Sequence, residues 1–189
     1  MLKDNFNLII VGVGGQGLIT LLSIINEAAI IERNDVRSSE LHGLSQRGGS
    51  VETHTKFGYK VYSPLVYNGQ ADLILGLDVL EAMRALNRAG EQTKFLVNDY
   101  YSPFQNSLPK EEIIKALQEN LGERLFVVPA SEICVKELQS EVVSGVYLLG
   151  YATKHNLIPL KFESVMAAVE KVIPQKYLEL NKKALNLAK

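Results

Sequence analysis

The stretch from Leu8 to Gly17 constrains the fold of this chain more than any other. It reads Leu-Ile-Ile-Val-Gly-Val-Gly-Gly-Gln-Gly, and an apolar run with helical character follows over 18–31. A strand that is apolar on both faces is typical of a parallel sheet covered by helices on each side. We therefore predict a β-strand, a tight turn and an α-helix in this order, as in a Rossmann-like α/β fold.

The glycines of this turn form the pattern G-x-G-x-x-G at Gly12, Gly14 and Gly17. In dinucleotide-binding folds the first glycine permits the turn, the second lets the backbone approach a ligand, and the third lets the helix pack on the strand. The helix that follows presents unpaired N–H groups and a positive dipole end, which favour a phosphate or a carboxylate. The alternative is that the glycines serve only the turn and the close helix–sheet contact.

Composition narrows the function classes. The 189 residues predict a single domain over 1–189 with a helical C-terminal part from about 141, and the net charge of −1 gives no electrostatic footprint for nucleic acid. The only cysteine, Cys134, excludes an intrachain disulfide, a cysteine-rich zinc site and an iron–sulfur cluster held by this chain alone. The first residues lack the pattern of a signal peptide and no apolar run is long enough for a membrane span, so we expect a cytoplasmic protein.

A second strand is expected over 36–41, and a glycine-rich polar loop follows it. Glu40 stands where dinucleotide folds place the acid that holds the ribose hydroxyls. In the loop, Arg47 lies beside Gly48 and Gly49, so that a guanidinium and a flexible backbone can approach an anion together. A plain surface loop that carries one charged residue is the alternative.

Two alternating runs, 51–57 and 61–64, predict a β-hairpin at one edge of the sheet or as a projecting arm. His54 lies on the first of these strands, where we expect a hydrogen-bonded structural histidine rather than a base or a metal ligand. The three histidines lack the spacing of metal ligands.

The remaining elements alternate in the way an α/β sheet requires. Asp78 is expected to cap a helix, Glu81 and Arg84 to pair on it, and Asn98 to lie at the carboxyl end of a strand, where open sheets bind ligands. The predicted strands cover 71–77, 94–98 and 125–129, and the predicted helices cover 79–87, 110–121, 131–138, 142–155, 162–172 and 177–187.

Two segments together resemble a known signature: 12–17, Gly-Val-Gly-Gly-Gln-Gly, and 40–49, Glu-Leu-His-Gly-Leu-Ser-Gln-Arg-Gly-Gly. They are similar to the γ-type domain of the 2-oxoacid:ferredoxin oxidoreductases, which the pyruvate, 2-ketoisovalerate, 2-oxoglutarate and indolepyruvate enzymes share. Further similarity at 63–64, 71–78, Asn98, 148–150 and 180–185 extends the resemblance over nearly the whole chain. Two departures are Asp78, where glutamate is usual, and 142–145, which lack an asparagine common before Leu-Leu-Gly.

The resemblance implies a subunit of an oxidoreductase rather than a whole catalyst. The chain resembles most the small β subunit of an indolepyruvate oxidoreductase, with a γ subunit of a pyruvate or 2-oxoglutarate enzyme as the alternative. Such enzymes oxidatively decarboxylate a 2-oxoacid, here indolepyruvate or another aryl pyruvate, to an acyl-CoA and pass the electrons to ferredoxin. The isolated chain is then expected to be inactive.

The same resemblance implies where the cofactors lie. Thiamine diphosphate, Mg²⁺ and iron–sulfur clusters are expected in a larger partner subunit, and no cofactor is expected on this chain alone. A homodimer of this chain is also compatible with the sequence. The glycine turn and the Arg47 loop are expected to line a shared cleft that contacts coenzyme A, and no residue is assigned a catalytic role. The expected cleft residues are Gly12, Gly14, Gly15, Gln16, Gly17, Glu40, His42, Gln46, Arg47, Gly48, Gly49 and Asn98.

Two other hypotheses stay open at this point. G-x-G-G-x-G also opens the domain of ubiquitin-activating-type adenylating enzymes, which predicts a stand-alone NAD- or ATP-binding module. Against it, those enzymes often carry paired CxxC zinc ligands, which a single cysteine cannot supply. The third hypothesis is a purely structural subunit whose glycine-rich loop is an interface.

Overall fold

The computed structural model describes residues 5–42, 48–103 and 107–189, with the backbone only at His42. Within these ranges six β-strands form one mixed sheet in the order β2-β3-β1-β4-β5-β6. The strands are β1 (Asn5–Val13), β2 (Asp35–His42), β3 (Ser50–Gly58), β4 (Ala71–Gly76), β5 (Ala89–Asn98) and β6 (Leu125–Val128). The helices are α1 (Leu18–Ile31), α2 (Val79–Arg84), α3 (Lys110–Leu121), α4 (Ala130–Leu138), α5 (Ser144–Lys154), α6 (Phe162–Val172) and α7 (Gln175–Leu187).

The side chains of β1 alternate between two hydrophobic cores, because successive residues of a strand point to opposite faces. Leu8 and Ile10 lie in the core that α1 and α4 to α7 cover, whereas Ile9 and Val11 lie in the core under α2 and α3. Three of the five neighbouring strand pairs are parallel. The predicted three-layer α/β architecture with a helical C-terminal region is therefore confirmed.

The predicted position of the hairpin is wrong. The antiparallel partner of β3 along the chain is β2, and β3 also pairs with β1, so that Thr53 lies between Glu40 and Ile10. Residues 61–64 form no strand; the Val61 N–H donates to the Asp35 carboxylate (2.9 Å) instead of a strand carbonyl. β3 is thus an inner strand, whose polar residues gave its sequence the alternation of an edge strand.

The C-terminal helices close the core over α1. Helix α6 packs along α1, and α5 packs on α7. Gly150 of α5 permits this second contact, because a Cβ at that position would lie 2.5 Å from the Leu185 carbonyl oxygen. As a result, the beginnings of α1, α5 and α7 lie close to the carboxyl end of β1.

Candidate functional site

The turn between β1 and α1 requires three of its glycines for two different reasons. A Cβ at Gly12 would lie 2.6 Å from the Gln16 Oε1 atom and 3.1 Å from the Leu77 Cβ atom. Gly15 and Gly17 have φ angles of +108° and +80°, which L side chains rarely adopt. Gly12 is therefore required for space, and Gly15 and Gly17 for conformation.

Gln16 holds the turn in place with its own side chain. The Val13 N–H donates to Gln16 Oε1 (2.7 Å), and Gln16 Nε2 donates to the Leu77 carbonyl (3.3 Å) beyond β4. Both ends of the amide thus have partners within the chain. The sequence predicts a backbone contact of Gln16 with a ligand, and the structure uses its side chain to stabilise the turn.

The last residues of the glycine-rich loop are attached to this turn. The Gly14 N–H donates to the Gly49 carbonyl (2.9 Å), and the Gly48 N–H donates to the Gly14 carbonyl (3.2 Å). The structure therefore brings three of the predicted residues, Gly14, Gly48 and Gly49, together. Gln46 and Arg47, also predicted here, lie outside the described residues.

A cleft of about 350 Å³ opens above the turn, and we call it the turn cleft. Its lining includes Gln16, just before α1, and Ser144 at the beginning of α5, and the Ser144 N–H donates to the Glu141 carbonyl (2.9 Å). Ser144, which begins α5, is 9% exposed, and its hydroxyl has no hydrogen bond to any residue that the structure describes. The turn cleft is lined by Val13, Gly14, Gly15, Gln16, Gly48, Tyr100, Ser102, Glu141, Val142 and Ser144.

Asp78 positions the far wall of the turn cleft. As predicted, it caps α2, because its Oδ1 accepts the Leu80 N–H (2.8 Å) and the Glu81 N–H (3.2 Å). Its Oδ2 accepts the Ser102 N–H (2.6 Å), so the same carboxylate holds the segment after β5. Burial raises the pKa of Asp78, although its backbone hydrogen bonds and Arg84 act in the opposite direction.

Tyr100 gives the turn cleft a hydroxyl that stays protonated. Burial raises the pKa of Tyr100 above its usual range, and the nearby negative charges of Glu141 and Asp78 raise it further. Glu141 itself is exposed and lines the same cleft. The lining of the cleft therefore combines the hydroxyl-bearing residues Tyr100 and Ser144 with the carboxylate of Glu141.

Asn98 does not line the turn cleft. It is 1% exposed, and its Nδ2 donates to the Ser131 hydroxyl (2.8 Å) while its Oδ1 accepts the Ser131 N–H (3.1 Å). The amide thereby ties the end of β5 to the beginning of α4. Its position at the carboxyl end of a strand is as expected, but its side chain is used inside the protein.

Glu40 lies apart from the glycine turn. It is exposed on β2, and the inner strand β3 separates it from β1. Adjacent strands are about 4.8 Å apart, so two spacings place Glu40 roughly 10 Å from the backbone of β1. A ribose-binding carboxylate needs β2 directly beside β1. His42, in the same strand, pairs with Val51 through its backbone.

His54 is a structural histidine, as expected. It is 1% exposed, its Nδ1 accepts the Val66 N–H (2.9 Å), and its Nε2 lies 2.6 Å from Glu52 Oε1. Because Nδ1 is an acceptor, the ring proton lies on Nε2 and donates to the carboxylate. Arg88 contacts the same carboxylate (3.0 Å), and these hydrogen bonds hold the pKa of Glu52 below its ordinary value.

A second depression, of about 490 Å³, begins beside the turn cleft, and we call it the α7 groove. The exposed side chain of Val142 lies between the two, and Gln16 contributes to both. Its walls are mostly apolar. The α7 groove is lined by Gln16, Gly17, Thr20, Leu21, Ser140, Val142, Val143, Gly145, Val146, Ile173, Pro174, Tyr177, Leu180 and Asn181.

The described residues contain no cluster of three or more His, Cys, Asp and Glu side chains that could hold a metal ion. Burial raises the pKa of the Cys134 thiol to about 11, so this side chain remains a protonated core residue at neutral pH. No helix within the described ranges is long and apolar enough to cross a membrane.

Comparison with known proteins identifies the family. The model of the pyruvate ferredoxin/flavodoxin oxidoreductases matches residues 7–189. The chain belongs to this family. It is 35% identical to the indolepyruvate oxidoreductase subunit IorB of Methanothermobacter thermautotrophicus, over 95% of this chain and 94% of that one. It is 28% identical to the pyruvate/ketoisovalerate oxidoreductases common subunit gamma of Pyrococcus abyssi, over 92% and 89%.

Solved structures share the fold of this family member. A pyruvate oxidoreductase subunit from Thermotoga maritima superposes with a TM-score of 0.72 at 20% identity, covering 98% of this chain and 96% of that chain. A 2-oxoglutarate:ferredoxin oxidoreductase from Magnetococcus marinus gives 0.73 at 16% identity, covering 98% of this chain and 30% of that chain. The chain is thus a small subunit of a 2-oxoacid:ferredoxin oxidoreductase.

Sequence reasoning missed several residues of both depressions. Val142 and Ser144 lie at the start of a predicted helix, where the sequence departs from the family pattern, and no motif indicates Tyr100. Tyr177 and Asn181 were assigned simply to a C-terminal helix. Their sequence signal is weak, because the packing of α7 against α5 brings them to the turn.

Proposed function

We propose that this chain acts with a larger subunit in the oxidative decarboxylation of an aryl 2-oxoacid, indolepyruvate being the first choice. In this reaction the bond between the carboxylate and the oxo carbon breaks and carbon dioxide leaves. The acyl group joins the sulfur of coenzyme A, whose thiol releases its proton, and the two electrons pass one at a time to ferredoxin. The support is the identity to four IorB subunits, between 31% and 35%, against at most 28% to the gamma subunits.

The chain's own donors do not fit an iron–sulfur cluster, because Cys134 is a single buried thiol. The proposal therefore assigns the clusters, Mg²⁺ and thiamine diphosphate to the larger subunit, and the isolated chain has no activity. Thiamine diphosphate supplies the carbanion stabilisation that decarboxylation requires. What this chain contributes is one wall of the cleft that the two subunits share.

The turn cleft is the proposed place of contact with coenzyme A. Its lining includes the turn before α1 and the beginning of α5 at Ser144, and the positive ends of helices suit phosphate oxygens. Gly48 and Gly49, which directly follow Arg47 in the chain, are hydrogen-bonded to Gly14 of the same turn. Glu141 is the opposing charge, so we expect contact with part of the cofactor rather than tight binding of coenzyme A by this chain alone.

The sheet order does not favour a stand-alone NAD- or ATP-binding module. β3 occupies the place beside β1 that β2 takes in a dinucleotide fold, and Glu40 is displaced with β2. A γ subunit of a pyruvate or 2-oxoglutarate enzyme remains the alternative within the family.

The first experiment is an anaerobic pull-down of the tagged chain from its native cell extract, followed by mass spectrometry. We expect a larger subunit with a thiamine-diphosphate region and cluster-forming cysteines, and a complex that oxidises indolepyruvate faster than pyruvate or 2-oxoglutarate. A chain that is recovered alone and is stabilised by NAD or ATP would overturn the proposal.

Contact with coenzyme A is tested in the same complex with Val142→Glu. Val142 is 75% exposed, so the new charge at the rim of the turn cleft leaves the core intact. We expect the KM for coenzyme A to rise several-fold while the KM for ferredoxin stays constant. The matched control is Val135→Glu on α4, 51% exposed and away from the turn cleft. Equal KM values for both variants would contradict the contact.

A further inference from the structure

The α7 groove is the larger of the two depressions, and the function proposed above does not use it. Leu21, Val143, Val146, Ile173 and Leu180 give it apolar walls, and Tyr177 stands half-exposed at its side. Its volume of about 490 Å³ falls within the range of small-molecule sites. Such sites are largely apolar and carry a few polar groups that fix the orientation of the ligand.

Asn181 is the polar group of this kind. It is 7% exposed, and its Nδ2 donates to the Tyr177 carbonyl (2.8 Å). This bond fixes the orientation of the amide, because only the NH₂ end can donate to a carbonyl. The Oδ1 atom accepts no hydrogen bond from any residue that the structure describes, and the side chain lines the groove. An acceptor at the wall of the groove that has no partner among the described residues favours a ligand that brings an N–H or O–H donor.

Three helices begin at the groove: α1, α5 and α7 supply Gly17, Gly145 and Tyr177 to its lining. None of the three has an acidic residue in its first turn. The other four α-helices in the described ranges each have at least one: Glu81 in α2, Glu111 and Glu112 in α3, Glu132 in α4 and Glu163 in α6. The N–H groups of Ser144 and Tyr177 donate to the Glu141 and Pro174 carbonyls (2.9 and 2.8 Å), but the dipoles of the three helix ends carry no acidic side chain in the first turn and favour an anionic group.

We propose that the α7 groove binds a small aryl carboxylate whose ring carries a hydrogen-bond donor, with an indole-bearing acid as its ligand. The ring lies between the apolar walls, its N–H donates to Asn181 Oδ1, and the carboxylate lies at the helix ends. The choice of indole among donor-bearing rings rests on the proposed function; the site itself rests on Asn181 and the groove. Part of the selection between 2-oxoacids then lies in this chain rather than in the thiamine-binding subunit.

Indole-3-acetate is the probe, because it is stable and cannot be decarboxylated as a 2-oxoacid. The chain contains no tryptophan, so the fluorescence of the ligand's indole can be excited where tyrosine does not absorb. Titration of the full chain, alone and in its complex, should shift and enhance this fluorescence in a saturable manner. Acetate, which lacks the ring, should compete weakly.

The proposed hydrogen bond between the indole N–H and Asn181 Oδ1 can be removed by a change in the protein or by a change in the ligand. Asn181→Ala and 1-methylindole-3-acetate should each weaken binding by about tenfold, and together by little more than either alone. Asn186→Ala is the matched control, because Asn186 makes the same bond to the carbonyl four residues earlier (2.9 Å) on α7 but is exposed outside the groove. It should leave binding unchanged. Thr20→Phe, from an exposed position at the groove, should lower affinity by steric exclusion.

The outcomes separate this proposal from the function proposed above. Absence of saturable binding at millimolar indole-3-acetate, or equal binding by Asn181→Ala and the parent chain, overturns the groove site even if the complex oxidises indolepyruvate. Binding that depends on Asn181 in a complex that prefers pyruvate upholds the site and overturns the aryl substrate. If Asn181→Ala raises the KM of the complex for indolepyruvate and leaves its KM for pyruvate unchanged, the result supports both the groove site and the aryl substrate.

Discussion

The two neighbours of β1 in the sheet differ in almost every respect. β4 runs parallel to β1, and its Leu73, Ile74 and Leu75 are apolar and buried. β3 runs antiparallel on the other side, and its Thr53, His54 and Thr55 are polar and equally buried. One neighbour is stabilised by the burial of apolar surface and the other by hydrogen bonds between side chains. Thr53 is the exception, because its buried hydroxyl has no partner among the described residues, and burial without such a bond costs stability.

This difference explains which elements the sequence predicted. The apolar strands were located because a run such as 71–77 favours a buried parallel strand. β3 was located but misplaced, because the partners of its polar residues lie far away: Thr55 donates to Asn26 on α1 (2.7 Å), and His54 accepts from Val66. A local pattern cannot reveal such partners. Substitutions on the two sides of β1 therefore test whether the two neighbouring strands are stabilised in different ways.

The largest effect is expected for His54→Leu on the polar side. Leucine leaves the Val66 N–H and the Glu52 carboxylate without their partner, which should lower the free energy of unfolding by about 2 kcal/mol or more at neutral pH. Ile74→Leu on the apolar side keeps volume and polarity, so it should cost less, about 1 kcal/mol. Urea denaturation measures both changes, and an equal loss in the two variants would contradict the comparison.

The loss in His54→Leu should depend on pH. The pKa of Glu52 is held below its ordinary 4.5, first by the hydrogen bond from His54. A carboxyl with a lowered folded-state pKa stabilises the protein above its unfolded-state pKa and loses this contribution as the pH falls through the folded-state value. The difference between parent and variant should therefore be full near neutrality and shrink below about pH 4.5. A constant difference across this range would show that Glu52 is not involved.

A smaller effect is expected at Gly12, which lies on β1 between β3 and the residue that follows β4. Gly12 pairs with Val51 of β3, and a Cβ there would contact Gln16 Oε1 and Leu77 Cβ. Gly12→Ala should displace the Gln16 amide from the Val13 N–H and cost about 2 kcal/mol, and Gln16→Ala should cost about 1 kcal/mol. Since both remove the same hydrogen bond, the double variant should lose less than the sum. Strict additivity would show that the amide does not hold the turn.

The smallest effects, of about 1 kcal/mol, should have opposite signs within β3. Thr53 is fully buried, and its hydroxyl has no hydrogen-bond partner among the described residues, so Thr53→Val should raise the free energy of unfolding. Thr55→Val, two residues along on the same face, removes the bond to Asn26 and should lower it. Thermal unfolding of the two variants would distinguish them, and shifts of the same sign would contradict the hydrogen-bond account.

The parts of the candidate site that are formed by residues close together in the sequence were predictable. The G-x-G-x-x-G turn, the cap at Asp78 and the ends of the strands follow from neighbouring residues, and the structure has them where they were expected. Ser144, Tyr177 and Asn181 reach the site through helix packing between distant segments. Gln16 and Asn98 were correctly placed at the carboxyl edge of the sheet, but the sequence could not reveal that their amides are used inside the protein.

The packing of α6 along α1 has a consequence for how the chain is made. During synthesis the N-terminal half leaves the ribosome first, at about 5–20 residues per second. The apolar face of α1 therefore stays without its C-terminal cover for several seconds, and the α7 groove can form only when translation is almost complete. During this interval the nascent chain exposes apolar surface of the kind that chaperones bind. We therefore expect the yield of folded subunit to depend on chaperones.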